Sequence, residues 1–429
     1  MLTLFIFAVL LLLIIIDLPI AIAMGLTAIA FFTGLGQGSS LAMLAQRMFY
    51  GTTGFTLLAV PFFILAGNLM NTGGITNRIF RFAKALVGHV PGGLGQVSVI
   101  SSMIFSGMSG SAVADAAGLG QIQHKAMIDN GYPPEKSASI VAAASTIGPI
   151  IPPSIPFVLY GALTSVSVSK LFLAGFLPGI SMGIALMIVI GLVAKPYGFP
   201  RSPRAHLIEV FSSFSHAFLP LMAPVIIIGG IISGVFTPTE ASVIVCLYAL
   251  FLGFLYRDLK MKDLPEIFWK SIKQSVTLLF IMAAANFFGW FTIYQSIPDN
   301  IIATLTNISA SGPAVLAIII FIILILGMFL EGNAIFFITI PIFLPIANLF
   351  GIDLINFGVV MTLLIMIGNL TPPVGMCLFA VSCFSKINIW SIAKESWIYI
   401  IVILIVTITI AYVPQIATWL PNLLSGPAM

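Results

Sequence analysis

The sequence predicts an all-α polytopic membrane protein built from two inverted-topology repeats, each holding a re-entrant helical hairpin and a discontinuous helix. Three observations lead there. Sixty per cent of the 429 residues are apolar and 7% are charged, too few charges to cover a soluble surface of that size. The charged residues fall between apolar stretches, most of them close to the ~20 residues that a helix needs to cross a bilayer core. Glycines and prolines that interrupt those stretches recur 220 positions later.

The apolar segments are 1–16, 18–36, 55–70, 92–122, 137–162, 170–194, 218–236, 238–256, 274–295, 313–348, 354–384 and 396–413. Residues 1–16 lack a basic leader, and a single turn at Asp17-Leu18-Pro19 separates them from the next segment. They read as a first membrane helix rather than a signal. Segment 92–122 is interrupted by SGMSGS at 106–111, and 313–348 by GMFLEGNA at 327–334, so each is expected to fold back as a hairpin. Segments 137–162 and 354–384 carry Pro152-Pro153 and Pro372-Pro373, which remove backbone donors and force local unwinding. Three amphipathic pieces lie between spans, marked by Leu41, Leu44 and Met48, by Ile75, Ile79, Phe82 and Leu86, and by Leu264, Ile267, Phe268 and Ile272. Their i, i+3, i+4 spacing, with Arg78, Arg81 and Lys84 or Lys262, Lys270 and Lys273 nearby, suits arm helices in the membrane interface.

The offset of 220 superposes Gly107-Met108 on Gly327-Met328, Gly131 on Gly351, Gly148 on Gly368 and Pro152-Pro153 on Pro372-Pro373. Matched breaks in matched order predict repeats over 1–205 and 206–429. Loop charge gives their relative orientation. The loop at 71–91 holds Arg78, Arg81 and Lys84, whereas its equivalent near 292–311 holds Asp299 alone. The loop at 123–136 has Lys125 and Lys136, and its equivalent near 345–356 only Asp353. Basic loops stay cytoplasmic, so the equivalent loops lie on opposite sides.

Four breaks, two at hairpin tips and two in the Pro-Pro helices, are then expected to converge near the bilayer midplane. Exposed carbonyls there suit a cation and free amides suit a carboxylate. The expected first sodium site takes Ser106, Ser109, Ser111, Ile147 and Gly148, and the second takes Gly327, Glu331, Gly332, Gly368 and Thr371. Ser111, Ser154, Asn333, Asn369 and Thr371 are the expected substrate contacts, with Asp115, Ser145 and Thr146 as further members of the shell. Close helix packing is the competing explanation for the serines and glycines. Glu331 stands far from any loop charge, and an ionisable group inside the membrane is functional by default. Its alternative is a neutral acid hydrogen-bonded within the hairpin, and Asp115 has a similar one beside its serines. Glu240 sits in TPTE at 237–240, which reads as a capping box with Thr237 as N-cap.

Other chemistries find no motif. The cysteines, Cys246, Cys377 and Cys383, lie in apolar segments without ligand spacing, and His89, His124, His206 and His216 are scattered, so neither a disulfide framework nor a transition-metal site is expected. HExxH, GxSxG and GxxxxGK[ST] do not occur, which argues against an enzyme and against nucleotide-driven transport. The net charge of +4 is dispersed and points to topology, not to nucleic acid.

FSGMSGSAVADAAGLG at 105–120, TIGPIIPPSIPFVLYG at 146–161, GVFTPTEAS at 234–242 and GMFLEGNA at 327–334 together resemble the large membrane subunit of tripartite ATP-independent periplasmic (TRAP) transporters, most closely the sialic acid branch. The resemblance implies sodium-coupled import of an organic acid, sialic acid or a C4-dicarboxylate, across the bacterial inner membrane by an elevator-type mechanism. It implies no organic cofactor, with sodium as coupling ion. The implied partners are a separate small four-helix membrane subunit and a periplasmic substrate-binding protein, besides membrane lipid. Relatives often have Asp at the second tip, where this chain has Glu331. A stand-alone divalent-anion symporter of similar architecture is the alternative, and an intramembrane enzyme using Glu331 and Asp115 is a more distant one.

Overall fold

The structure, a computed structural model, describes residues 2–72, 74–308 and 311–425. Every regular element among them is helical. The first half runs α1 (Leu2–Ile15), α2 (Ile20–Gly34), α3 (Met43–Tyr50), α4 (Ala59–Thr72), α5 (Ile75–Val87), α6 (Gly93–Ser109), α7 (Ala112–Ala117), α8 (Leu119–Asp129), α9 (Pro134–Ser145), α10 (Ile155–Thr164) and α11 (Val168–Tyr197). The second runs α12 (Leu207–Ile232), α13 (Pro238–Leu255), α14 (Leu264–Tyr294), α15 (Ile297–Ile308), α16 (Gly312–Phe329), α17 (Gly332–Leu349), α18 (Leu354–Gly368), α19 (Met376–Ser385), α20 (Ile389–Tyr412) and α21 (Gln415–Ser425). Starts at 93, 112 and 134 for α6, α7 and α9 are matched by 312, 332 and 354 for α16, α17 and α18, which are offsets of 219, 220 and 220.

Seven helices among the described residues, α11, α12, α13, α14, α16, α17 and α20, are long and apolar enough to cross a membrane. Helices α10, α18 and α19 are shorter, at 10, 15 and 10 residues, as expected for halves of interrupted spans. Three boundaries differ from the sequence reading. The third amphipathic piece and segment 274–295 form one 31-residue helix, α14, because neither glycine nor proline lies between Pro265 and Gly289. Helix α12 starts at Leu207, well before the apolar segment at 218. Helix α21 had no counterpart among the expected segments.

Basic loops meet at one end of the molecule. Lys136 at the start of α9 pairs with Glu395 of α20 and lies 3.9 Å from the Tyr197 ring centroid. Ser202 N–H donates to the Gly88 carbonyl at 3.0 Å, and Arg78 of α5 pairs with Asp258 at 2.7 Å. At the other end the Tyr160 hydroxyl, near the end of α10, donates to the Leu354 carbonyl at 2.7 Å. Helix α9 therefore begins at the basic end and α18 at the opposite one.

Helices α2, α3 and α4 pack against α14, and α4 also packs on α13. Phe32 of α2 lies among Phe287, Trp290, Phe291 and Tyr294 of α14, with ring centroids 5.1–6.1 Å away. Such aromatic pairs add about 0.5–1.5 kcal/mol each beyond area burial, so this wall is firmly seamed. Among the hairpins and interrupted helices, α6 packs on α9, α16 on α18, and α19 against both α7 and α9, while α17 also packs on α14 and α6 on α5 and α4.

Helix α13 begins with the expected capping box, in which Thr237 Oγ1 accepts from Glu240 N–H at 3.3 Å while Thr237 N–H donates to Glu240 Oε2 at 2.8 Å. Thr237→Ala is expected to cost about 1 kcal/mol. Thermal denaturation in detergent measures it, and an unchanged midpoint would show the box to be dispensable.

Candidate functional site

The first tip is a sharp turn. Gly110 has φ of +61°, a left-handed conformation that suits glycine, and a Cβ there would stand 2.8 Å from the Pro153 carbonyl oxygen. Ser111 then caps α7, its Oγ accepting from Ala114 N–H at 3.4 Å. Ser109 donates its hydroxyl to Asp115 Oδ1. The other oxygen, Asp115 Oδ2, has no hydrogen-bond partner among the described residues, and the side chain is 1% exposed. It faces Gly148 so closely that a Cβ there would collide with it.

The first interruption lies between α9 and α10. Ser145 and Thr146 donate to the carbonyls of Ala142 and Ala143 at 2.7 and 2.6 Å. Ser154 caps α10 by accepting from Phe157 N–H at 3.2 Å, and donates to the Pro149 carbonyl. Ser106, inside α6, donates to Met103 O at 2.6 Å. A hydroxyl that gives its proton to its own helix keeps lone pairs for another partner.

The second tip and interruption repeat the arrangement. Glu331 caps α17: its Oε2 accepts from Ala334 N–H at 3.3 Å and its Oε1 from Asn333 Nδ2 at 2.7 Å. Gly327 and Gly368 cross so that a Cβ on Gly368 would lie 2.6 Å from the Gly327 oxygen. Val374 N–H donates to Met328 O at 3.2 Å, and Thr371 Oγ1 to Ile367 O at 2.7 Å. Each tip therefore packs on the interrupted helix of its own half.

Both tips open on one cavity of about 770 Å³, within the range of small-molecule sites. Ser109, Ser111, Glu331, Gly332, Asn333 and Asn369 line it. Ser106, Asp115, Ser145, Thr146, Ile147, Gly148, Ser154, Gly327, Gly368 and Thr371 do not line it. The structure also adds side chains that the sequence reading did not select: Asn68 of α4, and Lys273, Gln274 and Thr277 of α14. The signal for Lys273, Gln274 and Thr277 is a run of polar residues continuing past the amphipathic piece into an apolar span, and Asn68 stands alone within the apolar segment 55–70. Lys273 lies not at the end of an interfacial arm but within the continuous helix α14.

A helical membrane fold in which two tips meet at a shared, largely apolar cavity edged by a few polar side chains fits a membrane transporter. The family described as "Tripartite ATP-independent periplasmic transporter, DctM component" matches residues 7–416, and the chain belongs to that family. It is a TRAP large permease, a multi-pass inner-membrane protein whose relatives are transporters and not enzymes. Similar proteins include the sialic acid TRAP transporter large permease protein SiaM of Vibrio cholerae, 42% identical over 400 residues covering 93% of each chain. The C4-dicarboxylate TRAP transporter large permease protein DctM of Pseudomonas aeruginosa is 40% identical over 384 residues, 89% of this chain and 90% of that one. The sialic acid permease protein SiaT of Haemophilus influenzae is 42% identical over 380 residues, and this chain matches only 62% of its length. Among solved structures, the YdaH transporter of Alcanivorax borkumensis has a similar fold, with a TM-score of 0.65 at 14% identity over 89% of this chain and 90% of that one.

Proposed function

We propose that this chain carries out sodium-coupled import of an organic acid, sialic acid or a C4-dicarboxylate, with a small four-helix membrane subunit and a periplasmic substrate-binding protein as partners. The observation that carries this reading is the meeting of both tips, each packed on its interrupted helix, around one cavity. Residues 1–205 and 206–429 act as inverted repeats, a reading supported by the recurring helix starts and by the opposite ends at which α9 and α18 begin. Helices α1–α5 and α12–α15 serve as scaffold, and the hairpins with the interrupted helices move against them as an elevator. The relatives named for sialic acid and for C4-dicarboxylates bound the substrate class.

Sodium acts in this reading as a co-transported ion. Ser106, Ser109, Ser111, Ile147 and Gly148, with Asp115, Ser145 and Thr146, offer oxygens for the first site. Gly327, Glu331, Gly332, Gly368 and Thr371 offer them for the second. A buried carboxylate without a cationic partner is costly, and a cation beside Asp115 Oδ2 would remove that cost. Ser111, Ser154, Asn333, Asn369 and Thr371 are assigned to substrate, of which Ser111, Asn333 and Asn369 reach the cavity directly.

Vesicles containing the reconstituted complex test the coupling. Uptake is expected to require an inward sodium gradient, and uptake that persists at equal sodium would sink the proposal. Ser106→Ala and Thr371→Ala are each expected to raise the half-saturating sodium concentration about tenfold, the scale of a lost hydrogen bond to a charged group, without lowering protein yield. An unchanged sodium response in both variants would remove these residues from the sites.

A further inference from the structure

The shared cavity has a wall belonging to neither tip, and that wall carries a positive charge. Lys273, Gln274 and Thr277 of α14 line the cavity together with the apolar Val276, Leu278, Phe280 and Ile281, and their i, i+1, i+3, i+4, i+5, i+7, i+8 spacing spreads them over about half of the helix circumference. Two hydrogen bonds brace this stretch to α4, from Asn68 Nδ2 to Ser271 Oγ and to Gln274 Oε1, each 2.9 Å long. Lys273 therefore projects from a fixed wall.

Among the described residues, Lys273 and Glu331 are the charged side chains that line the cavity. Glu331 already accepts from Asn333 and Ala334 in capping α17. Lys273 takes part in neither ion pair formed among the described residues, which are Arg78–Asp258 and Lys136–Glu395, and its side chain is exposed. A lysine that merely anchors a helix snorkels along its lipid face to the interface. Lys273 instead shares its face with Gln274 and Thr277 in the cavity, about 4.5 Å of helix rise beyond Lys270.

We propose that Lys273 is a carboxylate-binding residue of this cavity, its ammonium receiving the acid group of the transported anion while the cavity is open toward the basic end of the molecule. The inference rests on the reading of the chain as an organic-acid transporter and deepens it by naming one contact. An anion that leaves water for a largely apolar cavity needs a compensating charge, and the tips supply none that is positive. An ammonium is a compact charge with three donors and no fixed fork. It accepts carboxylates of different shape, so Lys273 selects for charge and leaves identity to other contacts. Because α14 starts at Leu264, just after the Arg78–Asp258 pair at the basic end, Lys273 meets the substrate from that side.

The test is counterflow in oriented vesicles holding the wild-type complex or a variant, with internal sialic acid or succinate varied against external label. Lys273→Ala and Lys273→Gln are expected to raise the internal KM about tenfold or more, the scale for a hydrogen bond to a charged group. The half-saturating sodium concentration stays at the wild-type value, and Lys273→Arg recovers most of the loss. An internal KM unchanged in the Ala and Gln variants, with the wild type active, would overturn the contact alone. A KM change accompanied by an equal change in sodium response and in melting temperature would also overturn it, since that pattern marks a structural role. A wild-type complex that exchanges neither anion would overturn the transport reading and this contact with it.

Discussion

Asp115→Asn is expected to reduce sodium-dependent uptake on the order of a hundredfold, the upper range for loss of a charged hydrogen-bonding partner, while the protein still folds. Asparagine keeps the shape and can still accept from Ser109, so packing around the first tip survives. What disappears is the charge on an oxygen that points at the first interruption with no protein partner among the described residues. If that oxygen serves a cation, the half-saturating sodium concentration rises steeply and extra sodium partly restores uptake. If Asp115 is instead a neutral acid satisfied within its hairpin, the amide replaces it quietly. Uptake by the variant within a factor of two or so of wild type would decide for that second reading.

Gly368→Val is expected to have the largest effect on stability. The Gly327 carbonyl carbon and Cα would both lie 2.8 Å from a Cβ at this position, and these are backbone atoms of α16 that cannot rotate away. Overpacking of this kind costs about 1–3 kcal/mol or more, here paid by parting α16 from α18. A melting temperature several degrees lower, together with loss of uptake, is the expected pair of results. Gly229→Ala is the control, because open space surrounds Gly229 in α12 and alanine favours the helix. A Gly368→Val protein that melts with the wild type would show that the two helices do not depend on this crossing.

Much of the architecture was readable from the sequence because lipid imposes a simple rule: backbone groups must be bonded internally, so interruptions stand out against apolar helices. Pro152-Pro153 and Pro372-Pro373 marked the two interruptions, and the glycine-rich strings marked the tips. The position of the first tip was less readable. Ser106 lies inside α6, which runs on to Ser109, and the chain turns only at Gly110, where φ becomes positive. Nothing in SGMSGS distinguishes Gly107, which stays helical, from Gly110, which does not. The α14 wall escaped for a different reason. An amphipathic stretch followed by an apolar one looks like an arm joined to a span, and only the absence of a glycine or proline between them signals one helix. Contacts such as α19 on α7 and α9 join residues far apart in sequence, and hydrophobic periodicity carries no record of which distant helix covers which face.

The niche around Asp115 is built by α7 and α9 of the first half but walled in by α19, whose first residue, Met376, follows roughly 260 positions later. At the usual pace of synthesis this interval is on the order of ten to fifty seconds. Throughout it the carboxylate has left the ribosome while its enclosure is unfinished, so the nascent first half must wait in the membrane with a polar seam open until the second half arrives to seal it.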